Sequence, residues 1–148
     1  MSIKLINSSP AISEQDIEKA ELFLGFPIPR EINEIYRKNN GGVLEDDKCI
    51  YQSESHELDI KYFLPIGKSK EPGIFTIENL YKKLAKEKKL IPEKMLPFAI
   101  DGGGFPFCID IDNKSIYFLN LESGKEIFLD NDLISFINNI ISEEDAWG

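Results

Sequence analysis

Residues 96–112 read LPFAIDGGGFPFCIDID, two apolar runs joined by an aspartate and three glycines. The runs are rich in aromatic and β-branched residues, and glycines between two such runs are typical of a β-hairpin turn. Two further apolar runs follow along the chain. The sequence therefore predicts a four-stranded meander over residues 96–100, 105–111, 115–120 and 126–129.

Alternation along the second of these strands predicts how it is buried. Its apolar residues and its carboxylates fall on opposite faces, with Phe105, Phe107, Ile109 and Ile111 on one side and Cys108, Asp110 and Asp112 on the other. Because the second face carries two carboxylates, we expect the strand to cover a core on one side only.

Two amphipathic helices are predicted before the meander. Ser13 is a good N-cap for a helix over residues 14–24, and Gly25 is placed to end that helix in a left-handed conformation. Pro29 suits the first turn of a second helix, which the residues 39–42, Asn-Asn-Gly-Gly, should stop. These two helices are expected to form a hairpin-like pair.

The middle of the chain gives weaker signals. Residues 45–48 read as a turn, residues 49–51 and 62–66 as short strands, and residues 77–89 as a helix capped by Thr76. Five lysines crowd the last turns of that helix, where they favour the negative end of the helix dipole.

A final helix is expected after the meander. Asp130 or Asn131 is its predicted cap, its predicted buried residues are Leu133, Ile134, Ile137 and Ile141, and an acidic tail with Trp147 follows.

Together these elements predict an α+β fold in a single domain of residues 1–148. A mostly antiparallel β-sheet is flanked by helices, two N-terminal, one middle and one C-terminal. The N-terminus has no secretory pattern, and no apolar run approaches the roughly 18 residues that a membrane span needs. Cys49 and Cys108 lie far apart and are read as free thiols. These features predict a cytoplasmic location without a membrane partner.

The charge distribution bears on the partner. The chain has 26 acidic and 17 basic residues, a net charge of −9. Residues 68–94 hold eight lysines against four acidic residues, and residues 101–148 hold ten acidic residues against two lysines. A direct nucleic-acid ligand is not expected, because a protein with this net negative charge repels phosphate groups. Such a field attracts basic proteins, although it also serves simply to solvate the surface.

Three groups of residues are candidates for ligand binding or catalysis. The Asp101-Gly102-Gly103-Gly104 segment lacks the Lys-Ser/Thr and the following helix of a phosphate loop, so it reads as a structural turn. Asp110 and Asp112 share one strand face and could bind a divalent cation together with Asp101. Asp101 with Asp110 or Asp112 could also serve as a hydrolytic carboxylate pair. Lys114 stands where a calcium loop needs a ligand, and solvated strand carboxylates are the preferred interpretation. His56 lies in a polar loop without a second histidine. No catalytic residue, metal or cofactor is predicted.

Four segments in order resemble the SUKH superfamily, which includes fungal cell-wall assembly regulators of the Smi and Knr type and many bacterial immunity proteins. The segments are LGFPIP at 24–29 leading into a helix, NGG at 40–42, FLPIG at 63–67, and LPFAIDGGG at 96–104 followed by FCID at 107–110. The corresponding motif residues are Gly25, Pro29, Asn40, Gly41, Gly42, Pro65, Gly67, Pro97, Gly103 and Gly104. Phe105-Pro106 follows the glycines where the family often has Asn or Asp, which argues against a polar role for that loop.

The resemblance implies a protein that binds a cognate bacterial toxin domain, commonly a nuclease or deaminase, and blocks it. A basic toxin cleft is the expected counterpart of an acidic inhibitor. The predicted contact residues are Glu45, Asp46, Asp47, Asp101, Asp110, Asp112, Glu122 and Glu126. A regulatory or scaffolding domain of the cell-wall type is the alternative, and a carboxylate-based hydrolase is a third interpretation. The sequence leaves the oligomeric state open.

Overall fold

The computed structural model describes residues 3–148. Its helices are α1 (Glu14–Leu24), α2 (Arg30–Lys38), α3 (Ile77–Tyr81), which continues as a π-helix (Lys82–Glu87), α4 (Leu133–Asn138) and α5 (Glu143–Trp147). Its strands are β1 (Leu5–Ile6), β2 (Val43–Leu44), β3 (Lys48–Gln52), β4 (Glu57–Asp59), β5 (Tyr62–Phe63), β6 (Met95–Ile100), β7 (Pro106–Asp110), β8 (Ile116–Leu119), β9 (Glu126–Asp130) and β10 (Ile140–Ser142).

The predicted meander forms the main sheet. Strands β5 to β9 lie in sequence order, and every neighbouring pair is antiparallel. A smaller antiparallel sheet has the order β10-β3-β4, and β1 pairs with β2. The α+β class and the largely antiparallel pairing predicted from the sequence are therefore confirmed.

The prediction that the second meander strand covers a core on one side only is wrong. All five residues of β7 are buried, including Cys108 and Asp110. β7 is the central strand of the main sheet, and the burial of its consecutive residues shows that both of its faces lie under other parts of the chain. α3 packs against β6, while the ring of Phe136 in α4 lies 5.6 Å from those of Phe98 and Phe107. A strand that is buried on both faces carries no outward row of solvated residues.

Both N-terminal helices are confirmed, and α1 has its predicted caps, while Pro29 lies one residue before α2. The Ser13 hydroxyl accepts from the Asp16 amide, and the Asp16 carboxylate accepts in return from the Ser13 amide. This reciprocal pair satisfies two of the free N–H groups that begin α1. Gly25 ends the helix with φ at 88°, a left-handed value that glycine adopts without strain.

The Asn-Gly-Gly motif after α2 joins three parts of the chain. The Asn40 amide donates to the carbonyls of Pro10 and Ile66, and its oxygen accepts from the Ile66 amide. These bonds take both backbone groups of Ile66 out of strand pairing, so the strand predicted over 62–66 stops after Phe63. A Cβ at Gly42 would lie 2.1 Å from the Ile6 carbonyl oxygen, so close packing, more than ending the helix, requires this glycine.

The C-terminal prediction needs correction. Asp132 caps α4, in place of Asp130 or Asn131, because its carboxylate accepts from the Ser135 amide at 2.8 Å. Ile134 is exposed, and Ile141 lies in β10 beyond the helix. β10 pairs with β3, about ninety positions earlier in the sequence, and the acidic tail then forms α5 on a Ser142 cap.

Candidate protein-binding surface

The structure separates the predicted contact residues into several places. Asp101, Glu122 and Glu126 lie at one end of the main sheet, in or beside the β6–β7 and β8–β9 turns. Asp110 and Asp112 lie at the opposite end, at the β7–β8 turn. Glu45, Asp46 and Asp47 form an exposed turn between β2 and β3. No single surface includes all eight residues.

Asp110 is not a surface residue, contrary to the prediction. It is 1% exposed, and one carboxylate oxygen accepts from the amides of Asp112 and Asn113, while the other lies 3.4 Å from Lys94 Nζ. Its side chain builds the β7–β8 turn, as aspartates often do where a strand reverses. Asp110 is therefore not part of the candidate surface.

Asp101 belongs to the glycine turn. Its carboxylate accepts from the amides of Gly103 and Phe105, at 2.9 and 2.8 Å, which supports the interpretation of this segment as a structural turn. Ile100 pairs with Pro106 and Met95 with Asp110, so the turn and Asp110 stand at opposite ends of the hairpin. At the strand rise this separates them by roughly 15 Å. The structure thus does not assemble the carboxylate pair that a hydrolase or a shared cation would need.

A groove of about 570 Å³ brings together carboxylates from remote parts of the chain. The β2–β3 turn supplies Asp46 and Asp47, and the start of α5 supplies Glu143 and Glu144. Lys48 is the single basic residue among those that line the groove. The β3–β10 pairing brings these segments together, because it places Ser142 opposite Lys48.

Cys49 lies within this groove and responds to its charge. Its Sγ lies 4.0 Å from a carboxylate oxygen of Glu143. Partial burial, and then the negative charges of Glu143, Asp47 and Asp59, raise the pKa of the Cys49 thiol. A raised pKa favours the protonated thiol, which is a weaker nucleophile than the thiolate.

Strand β4 extends the negative surface. Glu57 accepts a hydrogen bond from Trp147 Nε1 in α5, and Asp59 accepts from the Gly102 amide at 2.8 Å in the glycine turn. The two residues share one face of β4 because they are two positions apart. We name the surface formed by Asp46, Asp47, Glu57, Asp59, Glu143, Glu144 and Trp147 the acidic face. Asp101, next to Gly102, lies at its edge.

The acidic face keeps an excess of negative charge. None of its carboxylates forms a salt bridge with another side chain of residues 3–148. Carboxylates on one surface without internal counter-ions raise the local negative potential, which attracts and orients a basic protein. Over the same described residues no group of three potential ligands is placed to hold a metal ion, and no helix is long and apolar enough to cross a bilayer.

Sequence reasoning found part of the acidic face. It identified Asp46, Asp47 and Asp101 but missed Glu57, Asp59, Glu143 and Glu144. The alternation of Glu57 and Asp59 with Leu58 was a strand signal, hidden by the polar loop before it. The acidic tail was noted, but nothing local indicated that it would fold against β3.

The chain is similar to known proteins over most of its length. The model of the SMI1 / KNR4 family (SUKH-1) matches residues 11–139. The chain is also similar to the SPbeta prophage-derived uncharacterized protein YokK of Bacillus subtilis (strain 168). The two are 26% identical over 153 aligned positions, which cover 90% of this chain and 78% of the relative.

Proposed function

Because this chain belongs to the SMI1 / KNR4 family (SUKH-1), we propose that it acts by binding another protein, as an immunity protein that neutralises a cognate bacterial toxin. The expected toxin domain is basic and of the nuclease or deaminase type. The protein acts without catalysis, by occupying the toxin. Its location is the cytoplasm, where such toxins meet their substrates, and residues 1–148 act as one domain.

The observation that carries this proposal is the acidic face. Six carboxylates from three separated segments lie on one surface without internal counter-ions among the described residues. A toxin that acts on nucleic acid presents basic residues around its cleft, and a surface of fixed carboxylates can occupy that cleft in place of phosphates. Similarity to a prophage-derived bacterial protein supports the bacterial side of the family over its fungal regulators.

The backbone of the β2–β3 turn permits a sharp test. Asp46 and Asp47 both have left-handed backbone angles, with φ at 63° and 54°. Asn-Gly is the favoured pair for two successive left-handed positions, so D46N/D47G removes two charges while it suits the turn better than the native pair. The matched control is E18Q/E34Q, which removes two exposed charges from α1 and α2.

The experiment co-expresses the tagged protein with the products of the neighbouring genes and measures capture at low and high salt. We expect a basic toxin domain whose association slows in salt. D46N/D47G and E143Q/E144Q should each weaken binding at least about tenfold, as expected when charge pairs at an interface are lost, while E18Q/E34Q should stay within about twofold. Equal loss in all three variants would assign the effect to net charge, and no loss in any would refute binding through the acidic face. Capture only of partners unrelated to toxins would favour the regulatory alternative.

A further inference from the structure

Trp147 is the single tryptophan of the chain and lies in α5 with 63% of its surface exposed. Removing a large aromatic side chain from water is favourable, so an exposed one is a candidate contact for a partner. Tryptophan is also among the residues that most often dominate the energy of protein interfaces. The position of this ring on the acidic face is therefore a feature to explain.

The indole is held in place. Its Nε1 donates to one carboxylate oxygen of Glu57, and the other oxygen of Glu57 accepts from Gln52 Nε2 at 3.2 Å. α5 packs against β3 and β10, and Ile50 in β3 is fully buried. The Ser142 hydroxyl caps the helix by accepting from the Asp145 amide. A ring fixed in this way loses little conformational freedom when a partner binds.

The other strongly exposed aromatic rings already have partners within the molecule. Lys82 Nζ lies 5.4 Å from the ring centroid of Phe23, and Lys83 Nζ lies 4.8 Å from that of Phe75. The ring of Phe128 packs edge to face on Tyr117 at 5.7 Å. Within residues 3–148, the face of Trp147 meets neither a cation nor another ring at such distances.

The negative charge around Trp147 determines which side chain of a partner would bind best on its exposed indole ring. Glu143, Glu144 and Asp145 occupy the first turn of α5, and Glu57 holds the ring edge. A cation over an indole is attracted by the ring, and nearby carboxylates strengthen that attraction. Arginine suits this place better than lysine, because its planar guanidinium stacks on aromatic rings and also bonds to carboxylates.

We propose that Trp147 is the anchor of the acidic face and that an arginine side chain of the basic partner stacks on its indole, between the carboxylates of Glu57 and α5. This inference rests on the proposed function, since it names the contact by which a basic toxin domain is held. Glu57 is a positioning residue, because it acts by orienting the ring.

The first test needs no knowledge of the toxin. Calorimetric titration with hexa-arginine and hexa-lysine peptides compares two ligands of equal charge, and the fluorescence of Trp147 reports directly on its ring. We expect the protein to bind hexa-arginine at least about threefold more tightly than hexa-lysine, with saturable change in Trp147 emission. The W147A variant should lose this preference while it retains the salt-dependent binding common to both peptides. Equal binding of the two peptides, or a preference that survives in W147A, would overturn the proposal.

Glu57 variants separate orientation from charge. E57Q keeps an acceptor for the indole N–H, so the fluorescence anisotropy of Trp147 should remain near that of the parent. E57A removes the acceptor and should lower both the anisotropy and the arginine preference. Unchanged anisotropy and unchanged preference in E57A would show that Glu57 has no positioning role.

The second test uses the basic toxin domain captured with the neighbouring gene products. W147A should weaken its binding at least about thirtyfold, the loss typical of a central interface residue. The exposed apolar control L22A, on α1, should stay within about twofold. If D46N/D47G weakens binding and W147A does not, the proposed function stands and the anchor is refuted. If neither variant weakens it, the acidic face itself is refuted. Circular dichroism of W147A checks that the protein still folds, and if no toxin domain is captured the peptide titrations decide alone.

Discussion

Replacement of Asn40 by alanine should strongly destabilise the protein. Asn40 is 1% exposed, and its side chain makes three hydrogen bonds that tie the Pro10 segment and Ile66 to the end of α2. Truncation leaves the Ile66 N–H without a partner in the interior, while the Ile66 carbonyl keeps the Lys68 amide as donor. An unsatisfied buried N–H costs about 1–3 kcal/mol and each of the two lost amide donations about 1 kcal/mol, so we expect a loss of about 3–5 kcal/mol, with the Pro10 carbonyl rehydrated near the surface.

Urea titration followed by circular dichroism and by Trp147 fluorescence measures this loss. A loss of that size should lower the melting temperature by about 10–15 °C in a chain of this length. The matched control is N39A, at the neighbouring half-buried C-cap of α2, whose side chain makes no hydrogen bond among the described residues, and it should change the unfolding free energy by no more than about 0.5 kcal/mol. The two probes should report one transition in both variants.

The reasoning would be refuted by an N40A variant within about 1 kcal/mol of the parent at an unchanged denaturant slope. An aspartate gives a second check, because the N40D carboxylate cannot donate to the carbonyls of Pro10 and Ile66. N40D should be less stable than N40A at neutral pH. N40D should recover stability as the pH falls, because the folded state binds the buried aspartate in its protonated form and a lower pH supplies the proton.

Three further predictions concern buried polar groups. Glu78 is 8% exposed; among the described residues one of its carboxylate oxygens has no hydrogen-bond partner, and the other accepts from the Gly67 amide. Burial raises the pKa of this carboxyl, so the free energy of unfolding falls as the pH rises from about 4.5 through the folded-state pKa. E78Q should therefore exceed the parent by about 1 kcal/mol at pH 7.5, with a smaller difference near pH 5, in urea titrations; a parent that is more stable than E78Q at pH 7.5 would contradict this. Y51F removes the hydroxyl that donates to the Leu129 carbonyl and contacts the Asp130 carboxylate, and thermal unfolding should show a loss of about 1 kcal/mol against no change in Y117F; equal values would rule out a contribution from the hydroxyl. D110A should cost about 2–4 kcal/mol, because it leaves the amides of Asp112 and Asn113 without their acceptor, whereas exposed D112A should stay within about 0.5 kcal/mol; similar values for the two would mean that Asp110 does not hold the turn.

The features that the sequence predicted well depend on near neighbours. The Ser13 cap, the Gly25 stop and the Thr76 cap each satisfy backbone groups within a few positions, and all three are present in the structure. The meander followed from alternating apolar runs joined by turn residues, and each of its four strands is found near its predicted place. Within the helix predicted over 77–89, residues 82–87 wind as a π-helix.

The candidate site was predicted only in part, because its residues meet through remote pairings. Asp46 and Asp47 could be named from a turn signal. Glu143 and Glu144 joined them only because β10 pairs with β3, and Trp147 reaches Glu57 across 90 positions. Ile141 was predicted to lie in the last helix, and its pairing with Ile50 of β3 places it in a strand.

The α+β class, the caps of α1 and α3, the order of the meander and the excess of negative charge could therefore be predicted without the structure. These depend on propensities and hydrogen bonds that close within a short span of chain. The tertiary structure alone decided which carboxylates are buried, as Asp110 is, and which share a surface, as Asp47, Asp59 and Glu143 do around Cys49. Burial and electrostatic potential sum over every element packed nearby, so no local pattern in the chain can specify them.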